Sequence, residues 1–290
     1  MKLRKVIIRI GATHTFRALF VADSHIAIAS KTADAECRQF ESRRAGYFPM
    51  ACRHLQEAVD YARRERCLLI HGGDLIDFPN KENLSYADCV NRCADVIFCP
   101  GNHEFSAWSG ERAIDYAPNR RASEQLRMLG VVINDVDSRI INGVQFVTLN
   151  NSLYQVSEAQ HAQVQQLLQL GLPAILICHI PFFTPRLCES NLSITRREDA
   201  FLVGLPLEIS SRLRFDPTLP PAEQWRNSAV LQRAQPSTLR FLSWLRQQPQ
   251  LKAIFSGHCH HFFAEPFSST AIQYVTGPGF LGEALEIEFR

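Results

Sequence analysis

Five times along this chain, a short apolar run ends in a cluster of side chains able to bind a metal ion. "RALFVAD" runs into Asp23-Ser24-His25, and "CLLIHGGD" ends in Gly73-Asp74 and reaches Asp77. "DVIFCPGN" delivers Asn102-His103-Glu104, "PAILICHIP" carries His179, and "LKAIFSGH" leads into His258, Cys259, His260 and His261. Apolar runs of this length, bounded by Gly, Pro and polar clusters, read as buried strands. Ligand sites of open α/β sheets gather outside the carboxyl ends of strands, so the pattern predicts convergence on one edge. Taken singly, a strand-end His is more often a hydrogen-bonded structural residue than a ligand. Five clusters in order, each after an apolar run, form a set that argues for a shared site.

Further apolar runs, "KVIIRI", "GVQFVTLN", "IQYVTG" and "ALEIEF", complete the predicted strands. Helices are predicted over "MACRHLQEAVDYARRER" and "SEAQHAQVQQLLQLG". The second opens on Ser157 with Gln160 three residues later, a capping box, and closes at Gly171. Strands alternating with helices indicate an α/β protein. The first two runs are separated by "GATHTF", which predicts an antiparallel edge hairpin. From Phe182 to Gln235 the periodicity dissolves among prolines, and a structureless lid or binding loop is expected. The economical division is one domain over 1–290, with 182–235 as an insertion or lid segment.

Composition matters here for what it excludes. A net charge of +2 is too small to argue for nucleic-acid or membrane binding. The N-terminal apolar runs are broken by Arg9, His14 and Arg17, unlike a signal peptide, and no stretch approaches a membrane span. Nine cysteines in no disulfide-like spacing point to a reducing, cytoplasmic setting.

The residue types define the chemistry. Carboxylates, an amide oxygen and imidazoles together suit manganese, iron, zinc or nickel. Asp23 and His25 are expected to share a face by strand alternation, as are His258 and His260, with Cys259 and His261 on the other side. The glycines before Asp74, Asn102 and His258 permit sharp turns and close approach. Other candidates have plainer readings. His71 is read as a strand histidine rather than an accessory to Asp74, and Cys89 with Cys93 as a buried thiol pair rather than a soft-metal site. Arg196 and Arg197 read as a solvated charge cluster, and Trp225 as packing.

The blocks "DSH", "GDLID", "GNHE", "CHIP" and "GHCH" resemble those of the calcineurin-like metallophosphoesterases, complete and in order from Asp23 to His260. That resemblance implies a central β-sandwich of two mixed sheets flanked by helices, a four-layer α/β/β/α architecture. It implies two divalent metal ions, manganese first among the candidates. One would be held by Asp23, His25, Asp74 and His260, the other by Asp74, Asn102, His179 and His258, with Asp74 bridging. His103 would face the phosphoryl group as general acid, Asp77 would orient it, and Glu104 would have a structural hydrogen-bonding role.

The implied reaction is hydrolysis of a small-molecule phosphodiester, phosphomonoester or pyrophosphate by a metal-bridging hydroxide. A protein phosphatase of this superfamily would follow Asp77 with Arg-Gly; Phe78-Pro79 stand there instead, which turns the reading away from phosphoproteins. The alternatives are a nuclease of the same superfamily, for which no basic or aromatic-studded groove is visible, and a metal-bound scaffold without turnover.

Overall fold

Near-continuous apolar runs in the central strands call for sheets with both faces covered. The computed structural model describes residues 1–105, 133–221, 224 and 227–290, without the side chains of Asn91 and Cys93. One sheet has five strands in the order β1 (Lys2–Ile8), β11 (Glu283–Phe289), β2 (Phe16–Val21), β3 (Leu68–His71), β4 (Val96–Phe98). The other has six: β5 (Val136–Ile141), β6 (Val144–Leu149), β7 (Ala174–Cys178), β8 (Leu251–Ser256), β10 (Ile272–Val275), β9 (Phe263–Pro266). Ala18 and Phe20 of β2 and Ile70 of β3 face Phe146, Ile175, Ile177 and Phe255 of the second sheet across one buried layer. Phe20 and Phe255 meet with ring centroids 5.4 Å apart. Each such buried ring contributes roughly 1.5–3 kcal/mol of transfer free energy.

The alternate residues face outward onto helices. Leu19, Val21 and Leu69 pack against α2 (Ala51–Glu65) through Leu55, Ala58, Val59 and Ala62, a 3.6-residue stripe. Val147, Leu176 and Ile254 pack against α4 (Glu158–Leu168) and α8 (Pro236–Leu245) through Val164, Leu168, Phe241 and Leu245. The layers are α/β/β/α. The remaining helices are α1 (Ala35–Tyr47), α3 (Lys81–Cys93), α5 (Pro185–Ile194), α6 (Leu207–Ser210) and α7 (Ser228–Leu231). Both bonds of the Ser157–Gln160 capping box are present at the start of α4. Among the described residues no helix is long and apolar enough to cross a membrane.

Three expectations are corrected. No β1–β2 hairpin forms: β11 lies between them, parallel to β1 and antiparallel to β2. The connection through Gly11 is long enough to cross a strand, spanning two spacings of about 5 Å each, and the mostly buried β11 needs backbone partners on both edges. Residues 182–235 are not structureless. Pro185 starts α5 after Thr184, and Leu187, Cys188, Leu192, Leu202, Leu205 and Leu213 form a cluster closed by Val275. Cys89 is exposed rather than part of a buried thiol pair, and the Cys93 side chain lies outside the described residues.

Candidate metal and catalytic site

The loops after β2, β3, β4, β7 and β8 meet at one edge of the sandwich, and their backbone does not follow strand alternation. Asp23 (φ 55°), His25 (48°), Asp74 (52°), His258 (68°) and His260 (55°) all adopt the left-handed conformation. This region costs a non-glycine residue on the order of 1–2 kcal/mol, so it persists only where the surroundings enforce it. Here they do. Asp23 N–H donates to Gly73 O and His25 N–H to Asp74 O, both at 2.9 Å, lacing the two loops together. The His258 N–H donates to Asp23 Oδ2 at 2.9 Å and tethers the third. Left-handed turns, not alternation, therefore aim His258 and His260 into the site, while Cys259 packs against Asn191 and the carbonyl of Phe201.

The ligand-capable atoms fall into overlapping groups. Asp23, His25 and His260 form one, Asp74, His179 and His258 another, and His25, Asp74 and His103 a third, each within 4.8 Å. His260 Nε2 lies 3.3 Å from Asp23 Oδ1 and 3.4 Å from His25 Nε2. Asp74 Oδ2 lies between the first two groups, 3.7 Å from His25 Nε2 and 3.1 Å from His179 Nε2. Asn102, on the loop after β4, is buried, and the next residue, His103, donates its N–H to Asp74 Oδ1. All seven predicted metal ligands and both predicted catalytic residues are thus brought to one edge.

The donor set fits divalent cations. His179 Nδ1 donates to the Gly72 carbonyl at 2.8 Å, which fixes its proton there and turns the Nε2 lone pair into the cluster. That Nε2 is fully buried and makes no well-aligned hydrogen bond, even with Asp74 Oδ2 so close. Two atoms in contact but not aimed at each other have the arrangement expected of side chains that could share a cation. His25 Nδ1 likewise faces an acceptor, Asp77 Oδ1 at 3.0 Å, and leaves Nε2 to the site.

The electrostatics favour positive charge. Burial would raise the Asp74 carboxyl, but the facing His179 and His103 hold it well below its ordinary range. Burial lowers the His103 imidazole, yet Asp74 and Asp77 outweigh it and bring it up to about 9. His179 is similarly raised to about 9 against burial by Asp74. His258, desolvated beside His179, falls to about 3 and stays neutral. Burial and Asp74 push Glu104 up to about 7.

Buried polar groups hold the loops rigid. Glu104 accepts from the backbone N–H groups of Asp74 (3.0 Å), Ile76 (3.1 Å) and Gly101 (2.6 Å), the structural hydrogen bonding expected of it. Asn151 brackets Ile180 with a donated and an accepted bond, and Gln273 does the same for Phe182, so the stretch after His179 is clamped on both sides. His71 meets Ser24 Oγ at 2.9 Å, a structural partner at the strand end. The pairing of Asp77 with His103 differs in detail from expectation. His103 Nδ1 donates to the Asp77 carbonyl at 2.8 Å, and the carboxylate, 3.3 Å away, is shared with His25 and Arg44. Arg44, Phe48 stacked on His25 at 4.7 Å, and Tyr154 against His258 Nε2 at 2.6 Å escape the sequence reading, since no motif links them to the site. His261 bonds the carbonyl of Cys259, Arg196 and Arg197 are exposed, and Trp225 lies outside the described residues.

Close approach makes Gly101 sensitive. A Cβ there would overlap Asp74 Oδ1 and the Asp74 backbone nitrogen. Gly101→Ala is expected to cost about 1–3 kcal/mol through overpacking, read as a fall of several degrees in thermal midpoint. Manganese affinity measured by calorimetry should fall at least ~10-fold if ligand misplacement of this kind acts as typical ligand-shell changes do. An unshifted midpoint would contradict this.

Comparison with known proteins follows from this geometry. The profile of the calcineurin-like phosphoesterase family matches residues 16–262. A dimetal phosphatase from Danio rerio aligns at 16% identity over 91% of this chain and 88% of its own, with TM-score 0.48. A putative 5′-nucleotidase from Staphylococcus aureus aligns at 15% identity over 92% of this chain and 49% of its own, with TM-score 0.45. A phosphopantetheinyl hydrolase from Mycobacterium tuberculosis aligns at 12% identity over 90% and 89%, with TM-score 0.39. No curated protein matches the sequence at a significant level.

Proposed function

Because this chain belongs to the calcineurin-like phosphoesterase family, we propose that it hydrolyses a phosphate ester of a small molecule, a phosphodiester, phosphomonoester or pyrophosphate. The observation that carries the reading is the place of Asp74 Oδ2 between two imidazole–carboxylate groups, beside His25 and His179. Asp23, His25, Asp74 and His260 would hold one divalent cation, and Asp74, Asn102, His179 and His258 the other, with manganese the first candidate. When bound, such a pair polarises phosphoryl oxygens and lowers the pKa of a water that attacks phosphorus.

The chain's own groups divide the remaining work. The His103 side chain is 15% exposed where Asp74 is 2% exposed, so it stands at the mouth of the cluster rather than inside it. Its Nδ1–H is committed to the Asp77 carbonyl, which aims Nε2 toward the opening. From there Nε2–H donates a proton to the departing ester oxygen, and the bond from that oxygen to phosphorus breaks. The ring of Phe201, in the segment we read as an insertion, meets the His258 ring edge to face at 5.4 Å.

The test is direct. Protein stripped with a chelator is expected to be inactive, and added manganese is expected to restore hydrolysis of bis(4-nitrophenyl) phosphate or 4-nitrophenyl phosphate. No turnover of either ester with manganese, zinc, iron or nickel would reject the enzyme and favour a metal-bound scaffold.

A further inference from the structure

We infer that Arg44 is a positioning residue of this site, its guanidinium fixing the Asp77 carboxylate and, through it, the rings of His25 and His103. The inference rests on the reading of His25 as a metal ligand. Arg44 lies in the last turn of α1 and forks onto Asp77, Nε to Oδ2 at 2.6 Å and Nη2 to Oδ1 at 2.5 Å. A two-point fork fixes the plane of a carboxylate, which a single ammonium does not. The Oδ1 so fixed accepts from His25 Nδ1 at 3.0 Å and stands 3.3 Å from His103 Nδ1. The Asp77 side chain is fully buried, so without Arg44 its carboxylate would lose both bonds of the fork and keep only the contacts of Oδ1 with His25 and His103, which do not fix its plane.

The same helix end supplies a second hold. Phe48, the residue that caps α1, stacks on the His25 ring at 4.7 Å and 10° between planes. The Arg44 guanidinium sits 5.4 Å from the Phe48 ring centroid. The end of α1 therefore grips His25 twice, at its Nδ1 edge through Arg44 and Asp77 and on its face through Phe48. With the ring gripped this way, Nε2 is presented to Asp74 Oδ2 and His260 Nε2. Pre-set ligands of this kind raise metal affinity because less order is imposed on binding.

Calorimetric titration of chelator-stripped protein with manganese, beside Arg44→Ala and Arg44→Lys, tests this without reference to turnover. Arg44→Ala is expected to lose about 10–100-fold in affinity, with Arg44→Lys between it and the parent. Guanidinium at tens of millimolar should restore part of the loss in Arg44→Ala and leave the parent unchanged, a rescue that a merely structural role would not give. Arg44→Ala with parental affinity, or a loss in folded protein that guanidinium does not relieve, overturns the inference. Should Arg44→Ala fail to fold, parental affinity in Arg44→Lys overturns it instead. A parent that binds manganese without turning over any ester would reject the proposed function and leave this inference standing. A parent that binds none of manganese, zinc, iron and nickel would reject both.

Discussion

Asp74→Asn is expected to lower kcat/KM for an aryl phosphodiester at least ~1,000-fold, about 4 kcal/mol of transition-state stabilisation, and to bind fewer than two manganese ions per chain. The Asp74 carboxylate reaches three imidazole residues of the site. Its Oδ2 lies 3.1 Å from His179 Nε2, 3.7 Å from His25 Nε2 and 4.0 Å from His103 Nε2, and its Oδ1 accepts the His103 N–H at 2.8 Å. The asparagine keeps the shape and one acceptor but removes the charge, so the test separates electrostatics from packing. Fold loss is a small part of the expected effect, because Glu104 still holds the loop through the backbone nitrogens of residues 74 and 76. Kinetics and calorimetric stoichiometry are read on the same samples. A variant with parental turnover and two bound ions would refute the bridging position.

What the sequence revealed was local. Motifs such as "GNHE" and "GHCH" travel with their loops, so once the strands were read from apolar runs the convergence of Asp23, Asp74, Asn102, His179 and His258 followed. The conformations that aim these side chains were not legible. Five left-handed residues are non-glycines, and nothing in Asp-x-His signals a φ near +50°. Pairing at long range was equally hidden. β11 joins the sheet from the far end of the chain, and its insertion between β1 and β2 depends on a register set more than two hundred residues away. The edge strands β5 and β9 lack the apolar runs that announced the others, as suits edges with little to bury. Arg44 was invisible for a different reason. Only one residue of α1 is buried, Glu41, so the helix offers no stripe, and 33 residues separate Arg44 from the carboxylate it holds.

Replacing His103 by Gln should separate chemistry from metal binding. Expected are a kcat lower by about 100–10,000-fold, the range typical of a lost general acid, and two manganese ions bound as in the parent. The His103 Nε2 lies farther from Asp74 Oδ2 than either His25 or His179 does, and its Nδ1 is occupied by the Asp77 carbonyl. Glutamine can return a hydrogen bond to that carbonyl, so the loop keeps its shape while the proton donor is gone. A general acid matters most when the departing oxygen is basic. The loss should therefore be near the lower end of that range or below it for 4-nitrophenyl esters, whose leaving group needs little protonation, and near the upper end for alkyl esters. A plot of log kcat against leaving-group pKa should be steeper for the variant than for the parent. Parallel lines would mean that His103 stabilises charge on the phosphoryl group instead, and loss of a bound ion would mean that it is a ligand, as its place within 4.8 Å of His25 and Asp74 allows.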